Sequence, residues 1–239
     1  MSLILNIETS TFVCSVAVTE GEKVVFEKAS FDGPAHASLL GVFVEEALNF
    51  LKENNLKLDA VAVSNGPGSY TGLRIGVSMA KGLCFGYGIP LIGIHSLDVM
   101  AYAAVRKNNE ASDCLYCSMM DARRMEVYSA FYDAQLNPVR ETSADVIDGE
   151  SYASYLEKGK VCFFGDGSGK CKPVLTSPNA VFIDEIYPLA SNMGALAQKA
   201  FNEKRFEDVA YCEPFYLKEF KATIAKNKVL NEALAKSHE

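Results

Sequence analysis

The chain has 239 residues, a hydrophobic fraction of 49%, a charged fraction of 22% and a formal net charge of −7. That length allows one large or two small domains, and the composition is that of an ordinary globular protein. An acidic chain without a basic run lacks the electrostatic footprint of a protein that grips nucleic acid unaided, so any role on RNA requires a partner.

The opening stretch, MSLILNIETS, has no basic region and too short an apolar run for a signal peptide, and no uncharged run reaches the length of a membrane span. A cytoplasmic location is therefore expected, with the seven cysteines as reduced thiols rather than a disulfide frame. Residues 3–8, 12–19 and 23–30 read as three strands on short connections, and strands that close in sequence pair antiparallel. In the second, Cys14, Val16 and Val18 face one way and Val13, Ser15 and Ala17 the other.

From about His36 to Asn54 the period becomes helical. Leu40, Phe43, Ala47, Phe50 and Leu51 form one stripe, and Leu39, Val44 and Leu48 widen it beyond the roughly 100° that a helix needs to face only its own core. The excess calls for a second surface. Ala60 to Val63 is a short apolar strand stopped by Gly66, Pro67 and Gly68, and a helix follows with Ser69 or Thr71 as its N-cap. A strand over 90–94 and a helix from Ser96 to Arg106 complete the order βββαβαβα.

The helix after the glycine-proline loop carries Gly72, Gly76 and Ala80 at every fourth position, although an interior glycine costs about 1 kcal/mol relative to alanine. A second small-residue row, Ser78, Gly82 and Gly86, runs beside it. Two readings stay open: the first row packs closely inside its own domain, or it joins Leu40, Phe43 and Leu73 in a face that docks a partner. The loop offers free N–H groups to an anion, but it lacks the GxxxxGK[ST] pattern of a phosphate-binding loop.

The polar stretch 107–113 reads as the join between two domains, 1–106 and 107–239. Beyond it, 114–121 and 125–133 form another hairpin, 151–157 a short helix, 161–164 a strand, Ser191 to Asn202 a helix, and 220–236 a final helix. By element order alone the second half is a degenerate copy of the first.

Chemistry-bearing groups are few. Cys114 and Cys117 have a metal-like spacing, but in a strand that spacing sends the side chains to opposite faces. The GDGSGK segment at 165–170 is either a phosphate approach or, as composition favours, a surface turn. Of three histidines, His36 opens the first long helix with Leu40, not a second ligand, four residues on, so neither metal nor cofactor is expected. Glu8, Thr9 and Ser10, with Thr11, are either a set facing a nucleotide phosphate or a polar hairpin turn.

Several stretches together resemble one family. NIETST at 6–11, HASLL at 36–40, NGPGSYTGLRIG at 65–76, AKGL at 80–83, DARRMEVY at 121–128 and PFYLK at 214–218 look like the bacterial tRNA threonylcarbamoyladenosine biosynthesis family TsaB, also called YeaZ. The resemblance spans nearly the whole chain, and implies an actin-like ATPase (ASKHA, ribonuclease-H-like) α/β fold of two related domains. It implies a noncatalytic partner of a TsaD-like subunit, acting with a TsaE-like ATPase on tRNA that enters only through the complex. A homodimer is also compatible with it. The catalytic paralogue holds a metal with an HxxxH pair that Leu40 interrupts here, and Lys218 stands where the family pattern has arginine. The alternative is an autonomous ATP-dependent transferase or kinase of the same fold, which nucleotide binding would distinguish; a glycopeptidase lacks its metal motif.

Overall fold

A computed structural model describes residues 1–33, 35–108 and 113–217. Lys218 and the helix expected over 220–236 lie outside the described residues, as do residues 109–112 of the expected join. The first sheet opens with an antiparallel meander, β1 (Leu3–Glu8), β2 (Cys14–Glu20) and β3 (Lys23–Ser30). After α1 (His36–Glu53) come β4 (Ala60–Gly66), α2 (Tyr70–Tyr87), β5 (Leu91–His95) and α3 (Ser96–Lys107). The order βββαβαβα is the one that the sequence periods predict.

Each parallel crossover returns beside its predecessor, so the strands lie in the order β3-β2-β1-β4-β5, with β1 parallel to β4 and β4 parallel to β5. Register places Ile7 opposite Val16 on one side and Val63 on the other. The second half repeats this plan. The hairpin of β6 (Leu115–Asp121) and β7 (Glu126–Tyr132) continues into β8 (Pro138–Val146), then α4 (Ala153–Leu156), β9 (Val161–Phe164) and β10 (Ala180–Ile183). Its order, β8-β7-β6-β9-β10, is the same topology over again. Two such sheets make the actin-like, ribonuclease-H-like architecture.

β8 and β10 have no counterpart in the sequence reading. PVRETSADV has only one long apolar side chain at each end, because it is an edge strand with much of its length in contact with water, and AVFI is only four residues long. Cys114 and Cys117 fall in the two separate cores on either side of the second sheet.

The first sheet is buried on both faces, which decides where the end of the chain goes. Leu5 and Ile7 of β1 point into a core shared with Leu40, Val44, Ala47 and Leu51 of α1 and with Val77 and Ala80 of α2. Alternation sends Ile4 to the opposite face, with Ala60, Ala62, Ile92 and Ile94. That face is covered by Val99 of α3, by Met193, and by Ala197 and Ala200 of α5 (Gly194–Asn202). The expected C-terminal domain of 107–239 therefore needs correction: the second sheet occupies 115–183, and the chain from Ala190 onward returns to the first domain. The Ala190 N–H donates to Ser15 Oγ at 2.9 Å at the point of return.

Beyond α5 the backbone straps the edge of the first sheet. The Glu207 N–H donates to Leu91 O at 2.8 Å, Lys81 Nζ reaches Ala210 O at 3.0 Å and Cys212 O at 3.1 Å, and the Phe215 N–H donates to Asn65 O at 2.6 Å. Because Ala197 is fully buried against β1 and β5, Ala197→Leu is expected to overpack the first domain by about 1 to 3 kcal/mol. A thermal melt that leaves the first domain unchanged would place α5 elsewhere.

Candidate functional site

The site is built on the loop between β4 and α2. β4 ends at Gly66, whose peptide to Pro67 is cis, and Ser69 caps the helix by accepting from the Gly72 N–H at 3.3 Å. Gly66 has φ 120°, and a Cβ there would stand 2.6 Å from Phe215 O in the strap, so only glycine fits.

The β1–β2 turn seats against this helix start. The Ser69 N–H donates to Ser10 O at 2.7 Å, Thr9 Oγ1 donates to Gly72 O at 2.8 Å, and His36 Nε2 donates to Thr11 O at 2.8 Å. A Cβ on Gly72 would collide with Thr9 O, and one on Gly76 with Thr9 Oγ1. The glycine row therefore exists to admit the backbone of this turn. Gly72, Leu73, Gly76, Ala80 and Leu40 are all buried, so the docking face expected of them is corrected to close packing inside the first domain. Phe43 alone of that set stays partly exposed, packed on the edge of the core.

The same packing turns Glu8, Thr9 and Ser10 inward. All three are buried, Thr9 spends its hydroxyl proton on Gly72 O, and the Glu8 carboxylate accepts the Ser10 N–H through Oε1 at 2.5 Å. A phosphate brought to these side chains would have to displace the first turn of α2, so their expected place beside a nucleotide is corrected to a buried polar turn. Among the described residues, Glu8 Oε2 has no hydrogen-bond partner. Burial pushes the Glu8 carboxyl up to about 7, against the downward pull of its bonds from Ser10.

In the second half, the 121–126 and 165–170 stretches come together, a pairing that the sequence reading lacks. The Asp121 N–H donates to Asp166 Oδ1 at 3.1 Å, and the Gly167 N–H to Met119 O at 3.0 Å. Lys170 binds the Asp121 carboxylate and also donates to Glu126 O at 2.7 Å. GDGSGK is thus tied to the β6–β7 hairpin. Burial raises the Asp166 carboxyl above its ordinary range. Among the described residues, no three His, Cys, Asp or Glu side chains gather as a metal site, and no helix is long and apolar enough to cross a membrane.

The outward side of α2 is different in character. Arg74, Ile75, Ser78, Met79, Gly82 and Leu83 line an open groove of about 590 Å³. Ser78, Gly82 and Gly86 are exposed, and a Cβ on Gly82 or Gly86 would meet nothing within 4 Å. The Arg74 guanidinium lies 4.4 Å from the centre of the Tyr70 ring, and its Nε donates to Tyr216 OH at 3.2 Å, which fixes one end of the groove. The second small-residue row was the signal for this face.

Two outcomes test the geometry. The Glu8 pKa is raised from 4.5 to about 7, so its protonated form is the one that suits the fold. The resulting stability is complete below about 4.5 and is lost as pH rises through about 7, by about 3 kcal/mol in all. Glu8→Gln keeps an acceptor for Ser10 and is expected to abolish that loss, read as denaturant midpoints across pH 4 to 8. Gly76→Leu is expected to destabilise the chain by at least about 1 to 3 kcal/mol, because Thr9 cannot move without breaking its bond to Gly72. An unchanged melting temperature for that variant would contradict the inward packing.

Comparison with known proteins agrees with these elements. The family described as "TsaD: tRNA N6-adenosine threonylcarbamoyltransferase" matches residues 27–237. The tRNA threonylcarbamoyladenosine biosynthesis protein TsaB of Escherichia coli strain K12 is 31% identical over 224 residues, covering 90% of this chain and 94% of that protein. TsaB of Bacillus subtilis strain 168 is 29% identical over 229 residues, covering 90% and 93%. A Pseudomonas aeruginosa structure, described as similar to the peptidase YeaZ, superposes with a TM-score of 0.75 at 27% identity, over 91% of this chain and 100% of that one. With identity of that extent and a family match over most of the length, the chain belongs to the TsaB (YeaZ) family and carries the TsaD family domain.

Proposed function

We propose that this protein is the noncatalytic partner of a TsaD-like transferase in forming N6-threonylcarbamoyladenosine at position 37 of ANN-decoding tRNAs. The observation that carries the reading is the outward face of α1 and α2. Phe85 is 85% exposed on the same helix as the groove, whose apolar wall is Ile75, Met79 and Leu83, and Val42 of α1 is 46% exposed. Exposed apolar surface of this kind marks an interaction site, and the open backbone at Gly82 and Gly86 lets a partner helix approach closely. The docking row is therefore Ser78, Gly82 and Gly86 with Phe43, in place of Gly72, Gly76 and Ala80. Two helices of 18 residues can supply the roughly 800 Å² per partner of a standard interface.

A supporting role fits the interior as well. His36 is committed to Thr11 O and Leu40 to the core, where the catalytic paralogue has its metal-holding pair. The TsaD-like subunit then supplies the chemistry, with a TsaE-like ATPase in the same assembly and tRNA entering only through it, in the cytoplasm. A homodimer of the isolated chain would use the same face.

Co-purification with the TsaD-like subunit of the same organism, followed by tRNA modification with and without this chain, tests the reading. Gly82→Leu sharpens it. The new side chain has open space in the monomer, so the melting temperature should not fall, while binding to the TsaD-like subunit and tRNA modification should be lost. Binding retained by Gly82→Leu would reject this face, and steady ATP turnover by the chain alone would favour an autonomous transferase.

A further inference from the structure

We propose that the turn joining β6 to β7 is an RNA-backbone contact, in which Arg123 and Arg124 each reach a phosphate of tRNA held in the assembled complex. The inference rests on the reading above, that this chain works with a TsaD-like subunit on tRNA.

The backbone gives the first reason. Arg123 has φ 71° and Arg124 has φ 50°, two successive residues in the left-handed region that favours glycine and asparagine. The turn closes through main-chain bonds, the Glu126 N–H donating to Arg123 O at 3.1 Å and the Ala122 N–H to Glu126 O at 3.0 Å, and through the Asp121 carboxylate and Lys170, without using either guanidinium. Glycine would make the same turn without strain, so folding does not account for two arginines here.

The side chains give the second reason. Both arginines are exposed, and among the described residues neither guanidinium has a hydrogen-bond or ion-pair partner. The neighbouring carboxylates are already engaged: Asp121 by Lys170 and by the Arg123 N–H, Asp166 by the Asp121 N–H. Two adjacent uncompensated guanidiniums, planar and forked, are suited to phosphate oxygens.

The internal duplication gives the third. This turn is the counterpart of the Thr9–Thr11 turn, since each follows the central strand of a sheet of the same order. In the first half α2 seals the turn. In the second half the segment after β9 is a short turn ending in a single 3-10 helix, Gly169–Cys171, and it ties down the base of the hairpin while leaving the two arginines in solvent. Two phosphate contacts in a chain of net charge −7 release too few counterions to hold tRNA unaided, which agrees with a contact made only within the complex.

The test uses the chain assembled with its TsaD-like and TsaE-like subunits, and measures tRNA affinity against salt. The double variant Arg123→Gly with Arg124→Gly should melt at or above the temperature of the unaltered chain, because strain is relieved, and should assemble normally. Its tRNA affinity at low salt should fall, and the slope of log K against log salt should become shallower by about 2, one for each phosphate contact. Arg123→Lys with Arg124→Lys should keep the slope. Unchanged affinity and slope in an intact complex would overturn the proposal, as would a lowered melting temperature, which would make the arginines structural. Loss of assembly in the glycine variant would make the turn a protein contact and overturn it equally. Failure of the unaltered chain to assemble would remove the functional reading itself, and the inference with it.

Discussion

The structure depends on one close approach, that of the Thr9 backbone to the first two turns of α2. Thr9 O stands where any side chain at residue 72 would be, and Thr9 Oγ1 where any at residue 76 would be. The contact fixes which side of α2 faces the sheet. With about 100° between successive residues, a row beginning six residues later lies about 120° away around the helix. Seating Gly72, Gly76 and Ala80 inward therefore turns Ser78, Gly82 and Gly86 outward, and the groove beside Arg74 is a result of how the interior packs.

The same contact explains why a carboxyl group is held in the interior. Glu8 ends β1, the central strand, with neighbours on both sides, and its bond to the Ser10 N–H bends the chain so that Thr9 meets the helix. Burial makes that carboxyl an unfavourable place for charge. The turn is anchored by a group whose ionised form the interior resists, so its rigidity and its energetic tension have one source. His36 completes the fixture from α1 through Thr11 O, which joins three elements at one turn.

The first half of the fold was legible because its strands and helices have clean periods and its connections are short. The N-cap of α2 is Ser69, one of the two candidates that the sequence offers, and Gly88 in the αL region ends the helix. Periodicity assigns Gly72, Gly76 and Ala80 to one row, but it carries no information on whether that row meets a sheet or solvent. That is why close packing inside the domain and docking of a partner both stayed open for this row until its burial against Thr9 was seen. β8 was hidden by its partly solvated length, and β10 by its brevity. The pairing of 121–126 with 165–170, and the return of α5 to the first sheet, join residues far apart in sequence, and no local pattern encodes them.

The return of α5 also bears on how the protein is made. Ile4, Ala60, Ala62, Ile92 and Ile94 are all in place once β5 has left the ribosome, yet Ala197 and Ala200, which cover them, come roughly a hundred residues later. At elongation rates of about 5 to 20 residues per second, that apolar sheet face waits on the order of 5 to 20 s for its lid. Meanwhile the second sheet is synthesised beside it, with edges and apolar faces of its own. The nascent chain is therefore a natural client for a chaperone that shields exposed strands, and the N-terminal half is a poor choice for expression by itself.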